Sequence, residues 1–480
     1  MTQPKLLTYQ HFYLMGIKGV AMTALAQLLT DAGKHVAGCD VGKEFVTQEQ
    51  LNKLPVKIDD GFDHQLPAET ECVVYTAAHG GPANPIVKQA LNQKIPCFSH
   101  AEALSFLFNA KQGAAVCGVG GKSTVSAMLV WILEKLNYPV SYSVGVGEII
   151  GLDQTGCWRP RGDWFVAEAD EYVTDPDAAK NKQAITPRFS YFRPNLTVCT
   201  NLEYDHPDVY QDFAQTKQVF SQFFQRVKPG GILIYSADNQ DLTELITTHQ
   251  AHLEQKNITA ISYGEADSAQ MRLLSHQAKN QALSGTVASQ DQKLKLELQI
   301  PGKFNLLNAM AASLAAAEIG VDLADSFQAL RTFGSTKRRF ELIGQKNGVV
   351  YLDDYAHHPH QITRTIKALQ QWYPDTRRVI AFQPHTYSRT KQLLTEFVQA
   401  LGTAQEVMLL DIFPSAREKY DPSVSSDLLK QEVEQKFPNT KIANLKTINS
   451  LADFCQHQLQ PGDVLMTMGA GDVYQVHNQI

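Results

Sequence analysis

Lys122 is where the chemistry of this 480-residue chain is easiest to read. It lies in AVCGVGGKSTVSAM (115–128), where an apolar strand runs into a glycine-rich turn and Lys122, Ser123 and Thr124 open a helix. Glycines at 118, 120 and 121 let backbone N–H groups turn inward around phosphate oxygens with no Cβ in the way. The helix start adds partial positive charge, the lysine adds a full one, and a hydroxyl is a ready ligand for Mg²⁺. The full G-x-x-x-x-G-K-[ST] pattern needs Gly at 116, where Val116 stands, so this is the shorter G-x-x-G-K-S form. A plain turn beside an exposed lysine is the bland alternative. The strand before and the helix after favour a nucleoside triphosphate on Gly118, Val119, Gly120, Gly121, Lys122, Ser123 and Thr124.

Two acidic groups follow that could hold the metal of such a nucleotide. FVAEADE (165–171) brings Glu168, Asp170 and Glu171 to a strand end, and TNLEYDHPD (200–208) brings Glu203, Asp205, His206 and Asp208. Oxygen donors with one imidazole suit Mg²⁺ or Mn²⁺ better than zinc. Such carboxylates also cap loops, but two groups downstream of a phosphate loop favour metal binding. YLDDYAHHPHQI (351–362) invites a zinc reading through His357 and His358. Adjacent residues on a strand face opposite ways, so at most one could be a ligand unless the backbone turns. Contact with nucleotide or substrate is favoured, since ligands gather at the carboxyl ends of strands in open α/β sheets. FQPHTYSRT (382–390) has the same position in the next unit, and Arg389 offers a planar fork for carboxylate or phosphate. KRRF (337–340) adds Lys337, Arg338 and Arg339, with a solvated linker as the plainer reading, and MGAGDVYQV (468–476) adds a glycine-rich strand end with Asp472.

The elements that must position these groups alternate in βαβ fashion, which predicts an α/β fold with parallel sheets covered by helices. FYLMGI (12–17), HVAGCD (35–40) and ECVVYTA (71–77) read as strands of a Rossmann-like first domain, with a helix ending at Gly33. The pattern restarts at GAAVCG, followed by a helix with Val125, Met128, Leu129, Ile132 and Leu136 at helical spacing. Period-two alternation in KLKLELQI (293–300) predicts a small antiparallel patch before an Ala-rich helix over 306–319. VVYLDDYA, RRVIAFQ, EVMLLDI and DVLMTMG then restart an α/β unit. The expected domains are 1–110, 111–333 and 334–480. In the first, Gly16 and Gly19 of MGIKGVAM lie between strand and helix, and Asp40 follows Gly16 by 24 residues. The G-x-G-x-x-G dinucleotide fingerprint is not met, though a pyrophosphate could still use the helix amides. An NAD enzyme would leave the Lys122 loop unexplained.

Composition excludes several classes. Apolar residues at 44% and charged residues at 19% describe an ordinary globular chain. A net charge of -6 with no basic run argues against a nucleic-acid binder. No stretch of 18 apolar residues predicts a membrane span, and the N-terminus shows no signal pattern. Seven scattered cysteines without a C-x-x-C pair fit a reducing cytoplasm.

The order of these segments resembles the Mur ligase family, the ATP-dependent amide ligases of peptidoglycan precursor synthesis. MGIKGVAMTALA is similar to the family's UDP-sugar loop. GVGGKST, EADE, NLEYDH and GKFNLLNAMAA are similar to its central ATPase domain, and KRRFE, DDYAHHP, FQPHTYSRT and GAGDV to its C-terminal domain. The resemblance implies that Lys122 holds the β/γ-phosphates and that Ser123, Glu168 and His206 bind Mg²⁺. It places Asn305 and Asn308 near adenine and Asp354 on the ATP ribose. Arg338, His357, His358, His385 and Arg389 would line the cleft for phosphate and amino acid, and Gly16, Gly19, Asp40, Thr76 and Asn84 would approach the UDP. ATP would phosphorylate the lactyl carboxylate of UDP-N-acetylmuramate, and the amine of L-alanine would displace phosphate. Mg²⁺, Lys and Arg would offset the repulsion of the two anions, and no protein nucleophile is needed.

Some positions depart from the family pattern. Gly120 stands where the family usually has His, Ser123, Thr124 and Val125 where it has threonines, and Thr386 where Arg is expected. The stretch TDPDAAKNKQAITPRFSYFRPN is closer to the members that recycle muropeptides by attaching a tripeptide, whereas FQPHTYSRT favours alanine. A nucleotide-sugar sensor without catalysis is the rival from another class.

Overall fold

The computed structural model describes residues 5–180, 183–206, 208–279, 281–289, 292–414 and 418–480. Residues 1–4 of the N-terminal stretch, 181–182 of the long stretch before the next strand, and 290–291 of the turn before KLKLELQI lie outside them. The chain divides into two compact units. The first is Met1–Ser275 with Gly285–Glu297 and Leu306–Thr336, and the second is His276–Ser284 with Leu298–Asn305 and Lys337–Ile480. The described residues build three α/β sheets.

The N-terminal sheet is parallel, in the order Lys57–Asp60, His35–Asp40, His11–Met15, Cys72–Tyr75, Cys97–Ser99. The central sheet has ten strands. Its parallel body runs Thr259–Gly264, Ile232–Ser236, Leu196–Cys199, Gln112–Cys117, Trp164–Glu168, Val140–Ser143. Gly156–Cys157 closes one edge in antiparallel fashion. At the other, Met271–Lys279, Ala282–Ser289 and Gln292–Leu298 follow one another across two-residue connections. Only antiparallel strands allow so short a link, so the alternating pattern of KLKLELQI lies in the expected patch. The strand Gln112–Cys117 is buried from Gly113 onward because helices cover both faces, which is why it reads as an unbroken apolar run.

The third sheet runs Glu341–Lys346, Val349–Asp354, Val464–Met468, Arg378–Phe382, Glu406–Leu410, Lys441–Lys446. Its four inner strands are the expected ones. The two edge strands were not expected, and for a physical reason. Glu341–Lys346 is bulged between Leu342 and Gly344 and Leu342 is 63% exposed, while Lys441–Lys446 carries lysine at both ends and a half-buried middle. Edges guarded by charge and bulge lack the apolar rhythm that reveals inner strands.

Within the first unit, one apolar core runs from the N-terminal sheet into the central one, joining Leu14, Leu25, Phe108, Phe165 and Phe220. A polar joint fixes the register. The helix Val20–Asp31 lays Gln27, 1% exposed, against the edge strand Gly156–Cys157. The Gln27 carbonyl accepts from Thr155 N (3.0 Å), Gly156 N (2.8 Å) and the Thr155 hydroxyl (3.1 Å), and its amide donates to Gln50. Asp31 accepts from Trp158 N at the helix end. A Cβ on Gly156 would meet the Ala24 backbone, with Ala24 C at 2.6 Å. Gln27→Leu leaves several buried donors without a partner and is expected to cost about 3 kcal/mol, read as a lowered urea midpoint. Gly156→Ala should cost at least as much, since a backbone cannot yield as a side chain can.

Candidate active site

The central sheet delivers three loops to one edge. Val116 pairs with Glu168 and with Val198, and Cys117 with Cys199, so the turns after these strands emerge side by side. The loop after Cys117 holds Gly118 at φ +118° and Gly121 at φ +90°, which a side chain would strain. A Cβ at Gly118 would press on Thr200 and Asn201, and one at Gly121 would stand 2.8 Å from Asn308 Oδ1. Gly120 N donates to Asn201 Oδ1 (2.9 Å), and the Thr200 hydroxyl donates to Gly120 O (2.6 Å). The helix Lys122–Lys135 starts from Gly121 with no side-chain cap, so its first amides face outward from the loop.

Around that helix start the charges interlock. Lys122 Nζ donates to both oxygens of Glu171 (2.9 and 2.7 Å). The Ser123 hydroxyl donates to Glu168 (3.0 Å), whose other oxygen accepts from Gly145 N (3.1 Å). His206, in the left-handed region at φ +60°, sets Nε2 3.6 Å from Glu171 and 3.8 Å from Asp205. Tyr210 donates its hydroxyl to the Glu171 carbonyl, and Tyr172 packs edge-on to the His206 ring at 4.7 Å. Burial would lower the Lys122 ammonium, but Glu171, Asp170 and Glu168 outweigh it and hold it above its usual range. Burial would likewise lower the His206 imidazole, and Asp205 and Glu171 raise it instead. Burial pushes the Asp170 carboxyl up, yet Arg188, Lys122 and His206 bring it down to about 2. The structure thus gathers Gly118 to Thr124, Glu168, His206 and Asn308 in one place.

The N-terminal loop is the second glycine turn. Gly16 (φ +83°) leaves room for Thr76, whose methyl a Cβ would strike, and Gly19 opens the helix Val20–Asp31 without a side-chain cap. Asp40 and Asn84 have structural partners there. Asp40, 1% exposed, accepts from Lys18 N and Val41 N (2.8 Å each) and lies 3.5 Å from His79 Nε2. Asn84 caps the next helix by accepting from Ile86 N and donates to His79 O (2.9 Å each). His79 was missed by sequence reasoning, because only the fold shows both residues converging on it.

The second unit brings together His357, His385 and Arg389. The His385 and His357 rings are 6.5 Å apart. Arg389, 7% exposed, sets Nη1 3.3 Å from His385 Nδ1, which must accept since a guanidinium only donates. Thr386, at φ +69°, caps the short helix that carries Arg389. His357 and His358 are not on a strand, because the strand ends at Asp354. His358 occupies the N-cap of Pro359–Trp372, so the rule of opposite faces does not apply to the pair. Arg338 and Asp354 are engaged inside the fold. The Arg338 guanidinium binds Asp353 (2.8 Å), Gly469 O (2.6 Å) and Gly471 O (3.3 Å), with the Tyr474 ring at 4.3 Å. Asp354 accepts from Phe340 N and Ala356 N (2.8 Å each), and burial raises its carboxyl although Arg339 opposes this. The Asn305 amide donates to Pro301 O (2.6 Å).

Glu171, read from the sequence as a candidate metal ligand, instead holds Lys122, and Thr200 and Asn201, which sequence reasoning missed, complete the phosphate loop. Their roles depend on which strands lie beside Gln112–Cys117, which spacing along the chain does not reveal. Arg338→Ala strands the buried Asp353 carboxylate, which is expected to cost about 3–5 kcal/mol and appear as a lower unfolding midpoint.

Models of one family match three successive stretches: the Mur ligase family catalytic domain over residues 11–112, its middle domain over 116–316, and its glutamate ligase domain over 338–471. The UDP-N-acetylmuramate–L-alanine ligase of Desulfitobacterium hafniense (strain Y51) is 33% identical over 469 residues, covering 97% of this chain and 98% of that one. The solved UDP-N-acetylmuramate-alanine ligase of Thermotoga maritima matches with a TM-score of 0.79 at 21% identity, over 98% of both chains. A murein peptide ligase from Psychrobacter arcticus 273-4 matches with a TM-score of 0.71 at 23% identity, again over 98% of both. These two likenesses speak for the fold. With the family models and the whole-length relative, they establish that the chain belongs to the Mur ligase family, the ATP-dependent amide ligases.

Proposed function

We propose that this enzyme joins L-alanine to the lactyl carboxylate of UDP-N-acetylmuramate at the expense of ATP, in cytoplasmic synthesis of peptidoglycan precursors. The observation that carries the reading is the end-to-end likeness to an L-alanine ligase at 33% identity. The cytoplasmic setting is supported by the free state of all seven cysteines. No helix among the described residues is long and apolar enough to cross a membrane. The three sheets support domains of 1–110, 111–333 and 334–480.

The phosphate chain of ATP would lie on the amides of Gly118 to Thr124, with Lys122 turning from Glu171 to the β/γ-oxygens. The donor set fits Mg²⁺, since the Ser123 hydroxyl and the Glu168 carboxylate already meet at 3.0 Å and His206 lies 3.6 Å from Glu171, three residues along the same loop. When bound, the ion would neutralise γ-phosphate charge as the sugar's carboxylate approaches. Glu168, held also by Gly145 N, would keep the Ser123 oxygen in place. Asn308 stands beside Gly121 and would steady the loop. The diphosphate of the sugar nucleotide would take the uncapped amides after Gly19, beside Thr76. In the second unit, Arg389 and His385 would hold the amino acid's carboxylate, supported by their 3.3 Å approach. His357, whose Nδ1 donates to Tyr355 O (3.0 Å), would line the same site.

The test is ADP release with UDP-N-acetylmuramate plus L-alanine, L-serine, glycine or L-Ala-γ-D-Glu-diaminopimelate. Release with L-alanine is expected. Release only with the tripeptide would replace the amine, and release with none would leave a sensor. Lys122→Ala should lower turnover about 10²-fold or more, because it removes the loop's full positive charge from the phosphates. Activity like that of the unaltered enzyme would refute this placement of ATP.

A further inference from the structure

The sugar nucleotide proposed above sets a geometric demand that the described residues answer. Its diphosphate belongs at the helix start after Gly19, and its carboxylate must reach the γ-phosphate beside Lys122. Both loops lie in the first unit, joined through Gln27, so the muramyl part has to run between them. The turn Arg188–Tyr191 folds back on the acidic loop beside that path. Arg188 N donates to Tyr172 O (2.8 Å) and Phe189 N to Asp170 O (3.0 Å). The turn Arg188–Tyr191 packs on the helix His100–Phe108. His100, the first residue of that helix, sets its Nε2 3.1 Å from Ala21 O, in the first turn of the helix that begins after Gly19. Burial, with the charge of Arg188, pushes the His100 imidazole down to about 4. The helix His100–Phe108 thus links the first turn after Gly19 to the turn that carries Arg188, and Arg188 reaches Asp170, the neighbour in sequence of the Glu171 that holds Lys122.

Arg188 is the cation of that link. Its Nη1 donates to Asp170 Oδ2 (2.7 Å), the Tyr172 ring lies 5.3 Å from the guanidinium, and its side chain is 31% exposed. Asp170 and Tyr172 fix the plane of the fork, and its guanidinium makes no further hydrogen bond to a described residue. We propose that Arg188 is the specificity residue for the muramyl carboxylate, taking it in a two-pronged hydrogen bond between the diphosphate loop and Lys122. This rests on the function proposed above. It explains how a free carboxylate is held next to a triphosphate: Arg188 offsets the substrate's own charge while Asp170 keeps the cation from turning to the γ-phosphate. Arg188 binds and orients; no bond is made or broken at it.

The experiment compares two ligands that differ only in the lactyl group. Titration calorimetry would measure UDP-N-acetylmuramate and UDP-N-acetylglucosamine on the unaltered enzyme, Arg188→Ala and Arg188→Lys, with thermal midpoints and the KM for ATP alongside. Losing a charge-assisted pair is expected to weaken UDP-N-acetylmuramate about tenfold or more in R188A, with UDP-N-acetylglucosamine unchanged within about twofold. R188K should fall between, keeping the charge but not the fork. Equal loss for both ligands would show a structural role and overturn the inference, as would no loss for either. A matching rise in KM for ATP would place Arg188 at the triphosphate instead and overturn it too. If the unaltered enzyme binds neither nucleotide sugar, the proposed function fails first and this inference falls with it. Binding to the unaltered enzyme without an effect of Arg188 overturns this inference alone.

Discussion

A neutral amide sets the working distance of the first unit. Gln27 sits in a helix of the N-terminal sheet, yet its carbonyl collects donors from the edge strand of the central sheet. A charged residue at that position would have faced a heavy desolvation cost, and an apolar one would have left backbone N–H groups without partners. The consequence is a fixed spacing between two glycine turns, each opening a helix with its amides uncovered. Under the proposed function, that spacing would let two polyanionic substrates bind at separate helix starts with their reactive ends directed toward each other. Gly156 and Ala24 keep the joint tight, because the helix backbone lies where a side chain would otherwise stand.

The charge pattern follows the same economy of placement. The chain carries a mild net charge of -6, and its cations are distributed one by one among carboxylates. Lys122 rests on Glu171, Arg188 on Asp170 and Arg338 on Asp353. Each pair keeps its cation extended and in position, which a broad basic surface would not do. Arg338 is closed in by carbonyls and aromatic rings and ties two chain segments together, and the Arg188 side chain is the most open of the three.

Much of this was legible in the sequence, and the limits have physical causes. Inner strands such as Gln112–Cys117 and Val464–Met468 are apolar because both of their faces are covered, so composition alone reveals them. Gly118 and Gly121 of the Lys122 loop were readable because a side chain would strain their positive φ. Polar residues were readable as present but not as paired. Arg338 and Arg389 look alike as sequence, yet one is sealed against Asp353 and the other stands among imidazoles. Thr200 and Asn201 brace the phosphate loop only because Leu196–Cys199 is the neighbour of Gln112–Cys117, an ordering that skips the strands between them in the chain. Arg188 lies in a stretch whose polar composition reads as loop, and its value comes from folding back onto Asp170.

The bare helix starts at Gly19 and Gly121 have a consequence for the lifetime of the enzyme. Other helices here begin on Ser99, Asp212, Asn239, Asp322 or Ser425, whose side chains satisfy the first amides from within. Under the proposed function, the starts at Gly19 and Gly121 would leave that satisfaction to the substrates. Ligands that bind only the native fold add to its stability in proportion to the logarithm of their free concentration. On that proposal, the resistance of the first unit to unfolding and proteolysis would rise with the supply of its nucleotides.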